Sequence, residues 1–317
     1  MKILLIGPQP PPHGGISVHV AGIERQLITA GIPCRILDTT KISNRLRFAT
    51  TLIGFAACGW TLHLHTNGHN RNSWILAWLT GVAGRIGRGS VLTLHSGMAP
   101  QYISSATGMH RVFLAKTCRL SQRIICVAPE IATAVASLDM SGVSEHRIEV
   151  TPAFIGSEPA SVTIDPQLAA WIEQRQPLLS TALFFRPEYG FDLLVNAIAR
   201  LRERHPTVGC VVMGSGEEFQ KARARVAEAG LDDHVLLAGD VGHDTCLAVM
   251  SASDVFVRPT LEDGDSISVR EALELKVPVV ASRVGTRPPG AILFHPGDVE
   301  DLLSKLECAL AQRRQAA

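Results

Sequence analysis

Two carboxylates, Asp263 and Glu271, stand with seven residues between them in the stretch DVFVRPTLEDGDSISVREALELKVPVVASRVG, residues 254–285. One falls in a polar loop and the other in the early turns of a following helix. Acids so placed accept hydrogen bonds from the hydroxyls of a ribose or another sugar. Gly264, Asp265, Ser266 and Ile267 lie between them, where loop N–H groups and the positive end of the helix suit a diphosphate. Together these residue types outline a nucleotide-sugar site. Ser268 and Glu271 also have capping-box spacing, so a purely helical use of Glu271 stays open.

Strand 255–257, helix 266–275 and strand 277–281 position these acids. A strand–loop–helix–strand unit sets its loop at the carboxyl edge of a parallel sheet, where open α/β sheets bind ligands. The same alternation runs through the whole chain. Apolar strand segments at 3–6, 34–37, 62–65, 91–94, 123–127 and 147–150 are separated by helical stretches. Strands at 178–185, 209–213 and 235–237 repeat the pattern before the acidic stretch. This predicts an α/β protein with two doubly wound parallel sheets. Pro159 and Pro166 mark a break in regular structure, which sets domains at 1–155 and 156–317 with a boundary near Ile155. In the first half, helix 16–30 aligns Val20, Ile23, Leu27 and Ile28 as a core stripe.

Three further places offer chemistry at strand ends. Gly14 and Gly15 precede the first helix in PQPPPHGGIS, where bare backbone can approach a phosphate or a sugar. The loop is not G-x-G-x-x-G, so a dinucleotide cofactor gains no support. Ser215 and Gly216 follow strand 209–213 in the turn GSGE, and His95 closes strand 91–94 at the sheet's carboxyl edge. His63 and His65 share one strand face, and with His69 and His95 could be drawn together as ligands. No carboxylate or cysteine accompanies them at metal-site spacing, so no metal is expected. The seven cysteines form no C-x-x-C pair, which indicates neither a disulfide framework nor a zinc site.

The composition, 46% hydrophobic and 19% charged over 317 residues, is that of an ordinary soluble α/β protein. Met1-Lys2 leads straight into strand 3–6, and no apolar run reaches the ~18 residues of a membrane helix. The expected compartment is the cytoplasm. The net charge of +1 conceals a division: residues 1–155 carry 14 Lys/Arg against 6 Asp/Glu, and the remainder 16 against 23. A basic first half suits an anionic acceptor or surface. Its segment 41–59 reads as a helix, with Arg45 and Arg47 beside Phe48, Leu52, Ile53 and Phe55, that either lies on a membrane face or packs on the sheet.

The stretch 254–285 resembles the signature of retaining glycosyltransferases with the two-domain GT-B fold, the glycosyl transferases of group 1 that carry a Glu-x₇-Glu motif. Pro259-Thr260, Gly264, Glu271-Ala272 and Pro278-Val279-Val280-Ala281 match that signature in register. Asp263 stands for the family's first Glu, with Glu262, one residue out of register, as the other candidate, and Lys276 stands for the Gly before the strand. The resemblance implies two Rossmann-like domains facing a cleft and a nucleoside-diphosphate sugar as donor, with no metal and no cofactor. It assigns the ribose to Glu271, the transferred sugar to Asp263 and a reach to the donor sugar to His95. It also gives Gly14, Gly15, Ser215, Gly216, Gly264, Asp265, Ser266 and Ile267 to donor binding. A lipid-linked or polysaccharide acceptor in bacterial surface-glycan synthesis follows from the same likeness, with no nucleic-acid partner. One mismatch bears on turnover. Phe184 and Tyr189 stand where the family has the Arg and Lys that clamp the diphosphate. Either Arg186 between them supplies the charge, or the chain is a binding protein that kept the fold and lost the chemistry.

The charge division makes the first half a candidate for an anionic membrane surface, attracted by ~1 kcal/mol per basic residue and screened by salt. Co-sedimentation with anionic liposomes is expected to fall as salt rises, and to fall further in the Arg45→Glu, Arg47→Glu double variant. Binding indifferent to both changes excludes this surface.

Overall fold

The computed structural model describes residues 1–138, 147–153, 156 and 164–316. The chain forms two compact units. The first is Met1–Pro10, Gly15–Ile155 and Asp263–Asp265, and the second is Pro11–Gly14, Gly156–Glu262 and Ser266–Ala317. The boundary expected near Ile155 lies outside the described residues, as does Pro159.

In the first unit, β1 (Ile3–Gly7), β2 (Cys34–Asp38), β3 (Thr61–Thr66), β4 (Ser90–Leu94), β5 (Arg123–Cys126) and β6 (Ile148–Val150) form one sheet in the order β2-β1-β3-β4-β5-β6. Each pairing is parallel. Leu4, Leu5 and Ile6 are all fully buried, as continuous apolar strands covered on both faces should be. Helices α1 (Gly15–Thr29), α2 (Arg45–Ala57), α3 (Arg71–Gly84), α4 (Ala99–Ser104), α5 (Gly108–Leu120) and α6 (Pro129–Ala136) alternate with the strands.

Two expectations change here. Ile28 is 62% exposed, because it sits about 80° around the helix from Val20 and so leaves the core stripe. The helix expected from residue 41 starts at Arg45, since Asn44 Oδ1 accepts from the Leu46 and Arg47 N–H groups and fixes the start there. Asp38 caps a separate short turn, Thr39–Lys41. Along α2, Phe48, Leu52 and Ala56 recur every four residues and are buried, while Leu46 and Ile53 are exposed.

In the second unit, β7 (Leu178–Ala182), β8 (Gly209–Met213), β9 (Val235–Gly239), β10 (Val255–Arg258), β11 (Val279–Ser282) and β12 (Ile292–Phe294) lie in the order β12-β11-β10-β7-β8-β9. These pairings too are parallel. Alternate residues go to opposite faces. Leu179, Cys210, Val212, Val255 and Val257 join α8 (Phe191–Leu201) and α12 (Val299–Ala316) in one core. Leu178, Val211, Met213, Phe256 and Val279 join α10 (His243–Ala252) and α11 (Ile267–Glu274) in the other. Helices α7 (Pro166–Glu173) and α9 (Phe219–Glu228) complete the unit.

Pro166, read from sequence as a break, opens α7, with Asp165 Oδ1 capping the Gln167 and Leu168 N–H groups. Proline fits a first helical turn because no intrahelical acceptor awaits its missing N–H. The strand expected over 178–185 ends at Ala182. Its β10 side pairs only at Leu179 and Ser180, although Leu183 and Phe185 still donate to the Met213 and Ser215 carbonyls on the β8 side. Lys276, in the position of the family's glycine, keeps a left-handed backbone at φ 60°, so the chain turns into β11 only at Val279. Among the described residues no helix is long and apolar enough to cross a membrane.

All seven cysteines are free. Burial pushes the thiols of Cys118, Cys126 and Cys210 up to about 12, while Cys58 and Cys308 are exposed. A thiol reagent reacts with the thiolate. Alkylation of the native chain, mapped by mass spectrometry, should therefore label Cys58 and Cys308 first. Cys118, Cys126 and Cys210 should label only after unfolding, and rapid native labelling of those three would contradict this core.

Candidate functional site

In each sheet the winding reverses once, between β7 and β10 in the second unit and between β1 and β3 in the first. Loops leaving such adjacent strands diverge, and a crevice opens at the carboxyl edge.

In the second unit the reversal gathers the loops that follow β7 and β10. Glu271, on α11, is 4% exposed. The His243 Nε2–H at the start of α10 donates to its Oε1 at 2.6 Å. Burial, and then the Glu271 charge, pushes the Cys246 thiol up. The capping-box use of Glu271 does not occur. Ser266 is the N-cap of α11 but makes no side-chain cap bond, and its Oγ lies 3.1 Å from Ser268 Oγ. Ser266 and Asp265 are buried, Ile267 is the first residue of α11, and the Gly264 N–H turns back to Asp263 Oδ1 at 3.1 Å. Asp263, Gly264 and Asp265 cluster with the first unit, and Glu271 with the second.

The turn at 214–216 needs its glycines. A Cβ on Gly214 would stand 1.8 Å from the Leu183 carbonyl oxygen, and one on Gly216 would stand 2.7 Å from the Phe185 nitrogen. The Ser215 carbonyl accepts from the Phe185 N–H at 3.0 Å. This turn is thereby tied to the segment that leaves β7.

Beyond β7, the rings of Phe184 and Tyr189 meet edge to face with centroids 5.9 Å apart. Each aromatic residue carries a guanidinium. Exposed Arg186 lies 5.8 Å from the Phe184 centroid, and Arg258 lies 5.2 Å from that of Tyr189. Arg258 is only 8% exposed, and its Nη1 donates to the Ala182 carbonyl at 2.7 Å. Sequence reasoning passed over Arg258. Its one signal is a cation closing the otherwise apolar strand Val255-Phe256-Val257. Nearby, Arg287 donates to the Ser282 carbonyl and to Thr260 Oγ1, at 3.0 and 3.2 Å.

In the first unit the reversal lies beside a cavity of about 510 Å³, lined by Pro8, Ile16, His65, Thr66, Asn67 and Arg71 among others. His65, on β3, faces His95 at the end of β4, with Nδ1 and Nε2 3.2 Å apart. His19, on α1, completes a cluster with these two. His63 Nε2 pairs with Thr93 Oγ1 at 2.8 Å, and His69 Nδ1 with Ser96 Oγ at 2.7 Å. His69 therefore stands with Ser96, apart from the group its spacing had suggested. Burial lowers His19 to about 4 and, helped by the His19 charge, His63 to about 3. Burial first, and neighbouring histidines second, hold His65 and His95 well below the usual range. All four rings are accordingly neutral near pH 7. Gly15 begins α1, and Gly14 clusters with the second unit.

Residues 176–312 match the sequence model of the family described as "Glycosyl transferases group 1". A GDP-mannose-dependent alpha-(1-6)-phosphatidylinositol monomannoside mannosyltransferase of Mycolicibacterium smegmatis is 26% identical over 171 residues, 48% of this chain and 45% of its own length. A 2-deoxystreptamine glucosyltransferase of Streptomyces kanamyceticus is 27% identical over 206 residues, 63% of this chain and 49% of its own length. The chain thus spans about half the length of these curated relatives. The crystal structure of Anabaena HepE in complex with UDP-glucose superposes with a TM-score of 0.70 at 16% identity, over 99% of this chain and 95% of that one. That likeness gives the fold, GT-B, with its two Rossmann-like units. The match over 176–312 shows that this part of the chain is similar to the glycosyl transferases of group 1.

Proposed function

We propose that the chain is a retaining glycosyltransferase that moves a sugar from a nucleoside-diphosphate donor to a lipid-linked or polysaccharide acceptor in surface-glycan synthesis. One observation carries the reading. Within the family-matched region, Glu271 is a buried carboxylate at the carboxyl edge where the sheet reverses, and His243 orients it. A buried, hydrogen-bonded acid costs desolvation, and a stability role would be served as well by an apolar side chain.

In this reading Glu271 holds the ribose hydroxyls and Asp263 addresses the transferred sugar. Gly264, Asp265, Ser266 and Ile267, with Gly14, Gly15, Ser215 and Gly216, surround the donor, and His95 reaches its sugar. Arg186 and Arg258 replace the absent Arg/Lys pair and meet the departing diphosphate, so no metal is needed there. A guanidinium spans two phosphate oxygens and stacks on an aromatic face, which suits both partners of Tyr189 and Phe184. The acceptor side belongs to the basic first unit. Exposed Leu46 and Ile53, beside Arg45 and Arg47, support its lying peripherally on an anionic membrane surface at the cytoplasmic face. The second reading, a binding protein without turnover, draws on Phe184 and Tyr189 alone. Calorimetry with UDP and GDP, followed by hydrolysis and transfer assays on UDP-glucose and GDP-mannose, separates the two. Nucleotide binding without turnover of any donor would favour the second.

Two variants test the roles. Glu271→Ala should weaken nucleotide binding by ~1.5–3 kcal/mol per charged hydrogen bond lost, with His243→Ala giving a smaller loss in the same assay. Unchanged affinity in folded Glu271→Ala removes Glu271 from the site. Arg258→Lys and Arg186→Ala should each depress turnover more than binding. Loss of one preorganised charge at a transition state costs ~10²–10³ in rate. If both variants transfer sugar at the parent rate, the diphosphate is met elsewhere.

A further inference from the structure

Donor binding asks for one histidine in the first unit, yet the structure gathers four. The ring centroids of His19, His65 and His95 form a nearly equilateral triangle with sides of 5.4, 5.1 and 5.5 Å. Three imidazoles bound to one tetrahedral ion at about 2.0–2.1 Å would have nitrogens about 3.3 Å apart and centroids about 5.2 Å apart. His65 Nδ1 and His95 Nε2 already stand 3.2 Å apart. One ring nitrogen from each of the three residues lies within 4.8 Å of the others.

A second observation is independent of that spacing. His19 Nδ1 is buried without a hydrogen-bond partner among the described residues. Such an atom costs about 1–3 kcal/mol and calls for an explanation such as an ion. His63 is held aside by Thr93 Oγ1 and packs on His65 at 4.1 Å between centroids. It supports the ring without joining the set.

We propose that His19, His65 and His95 bind one divalent ion of the zinc class. Three imidazole nitrogens suit Zn²⁺, Co²⁺, Ni²⁺ or Cu²⁺ and not the oxygen-seeking Mg²⁺ or Ca²⁺. Since His65 also lines the cavity beside β1 and β3, the fourth position is open to water or to an acceptor oxygen. His19, on α1, is the ligand that the strand histidines lacked in the sequence. Closing the triad requires mainly a rotation of His19, which is only partly buried. The triad shares His95 with the donor-sugar role proposed above, and its test does not read transfer activity.

The test uses the full chain stripped of metal. Zn²⁺ titrated against a chromophoric chelator should bind at one ion per chain, and Co²⁺ should give the intense visible bands of a four-coordinate centre. His19→Gln should weaken Zn²⁺ by at least about tenfold, the scale reached by loss of orienting partners alone. His110→Gln, at an exposed histidine, should leave it unchanged. Circular dichroism establishes that the variants fold. Because His65 is buried and substitution there endangers folding, X-ray absorption on the Zn²⁺-loaded parent supplies a readout without mutation, and it should report three imidazole ligands. Absence of saturable binding, binding untouched by His19→Gln, or a spectrum without imidazole scattering overturns the proposal.

Discussion

Right-handed crossovers decide where this protein has room to bind anything. A parallel strand can return to its sheet only by a right-handed connection, so a chain that winds first to one side and then to the other must part its loops at the reversal. Those points lie between β1 and β3 and between β7 and β10. The chemistry gathers there. Among the described residues the buried Asp, Glu and Arg side chains are Arg258, Asp265 and Glu271, and all three sit at or after the carboxyl end of β10. The histidine cluster lies at the reversal in the other sheet.

Burying these groups opposes folding unless each finds a partner. Glu271 has His243, and Arg258 has the Ala182 carbonyl and the Tyr189 ring. The cores around them, Leu179, Val212 and Val255 on one face and Val211, Phe256 and Val279 on the other, hold the strands that aim these charges. Stability comes from the apolar layers. The polar edge draws on that reserve and returns a rigid set of acceptors and cations.

Much of this was legible in the sequence because parallel strands are covered on both faces and read as unbroken apolar runs. The two sheets, the loop after β10 and the place of Glu271 followed from such runs and their spacing. Element ends were less legible where one side chain decides them. Asn44 starts α2 by accepting from two N–H groups, and Pro166 begins a helix where it had read as a break. The partner of Glu271 could not be read at all, since His243 lies on another helix and meets it only through packing of α10 on α11. The same holds for Arg258 and Tyr189, and for His19 beside His65. Pairings between distant elements leave no periodic trace.

The stacking of Arg258 on Tyr189 also constrains how this chain can change. A single substitution of Tyr189 to lysine, toward the residue usual in the matched family, would bring an ammonium against a buried guanidinium. Losing Arg258 first would strip the Ala182 carbonyl of its partner and the crevice of its inner cation. The two positions are therefore expected to change together, the pattern called reciprocal sign epistasis. On the reading proposed above, in which the cation stands at the end of β10 and not in the loop after β7, a single-step return is disfavoured. The chain's relatives should show the lysine or the strand-end arginine, and seldom both.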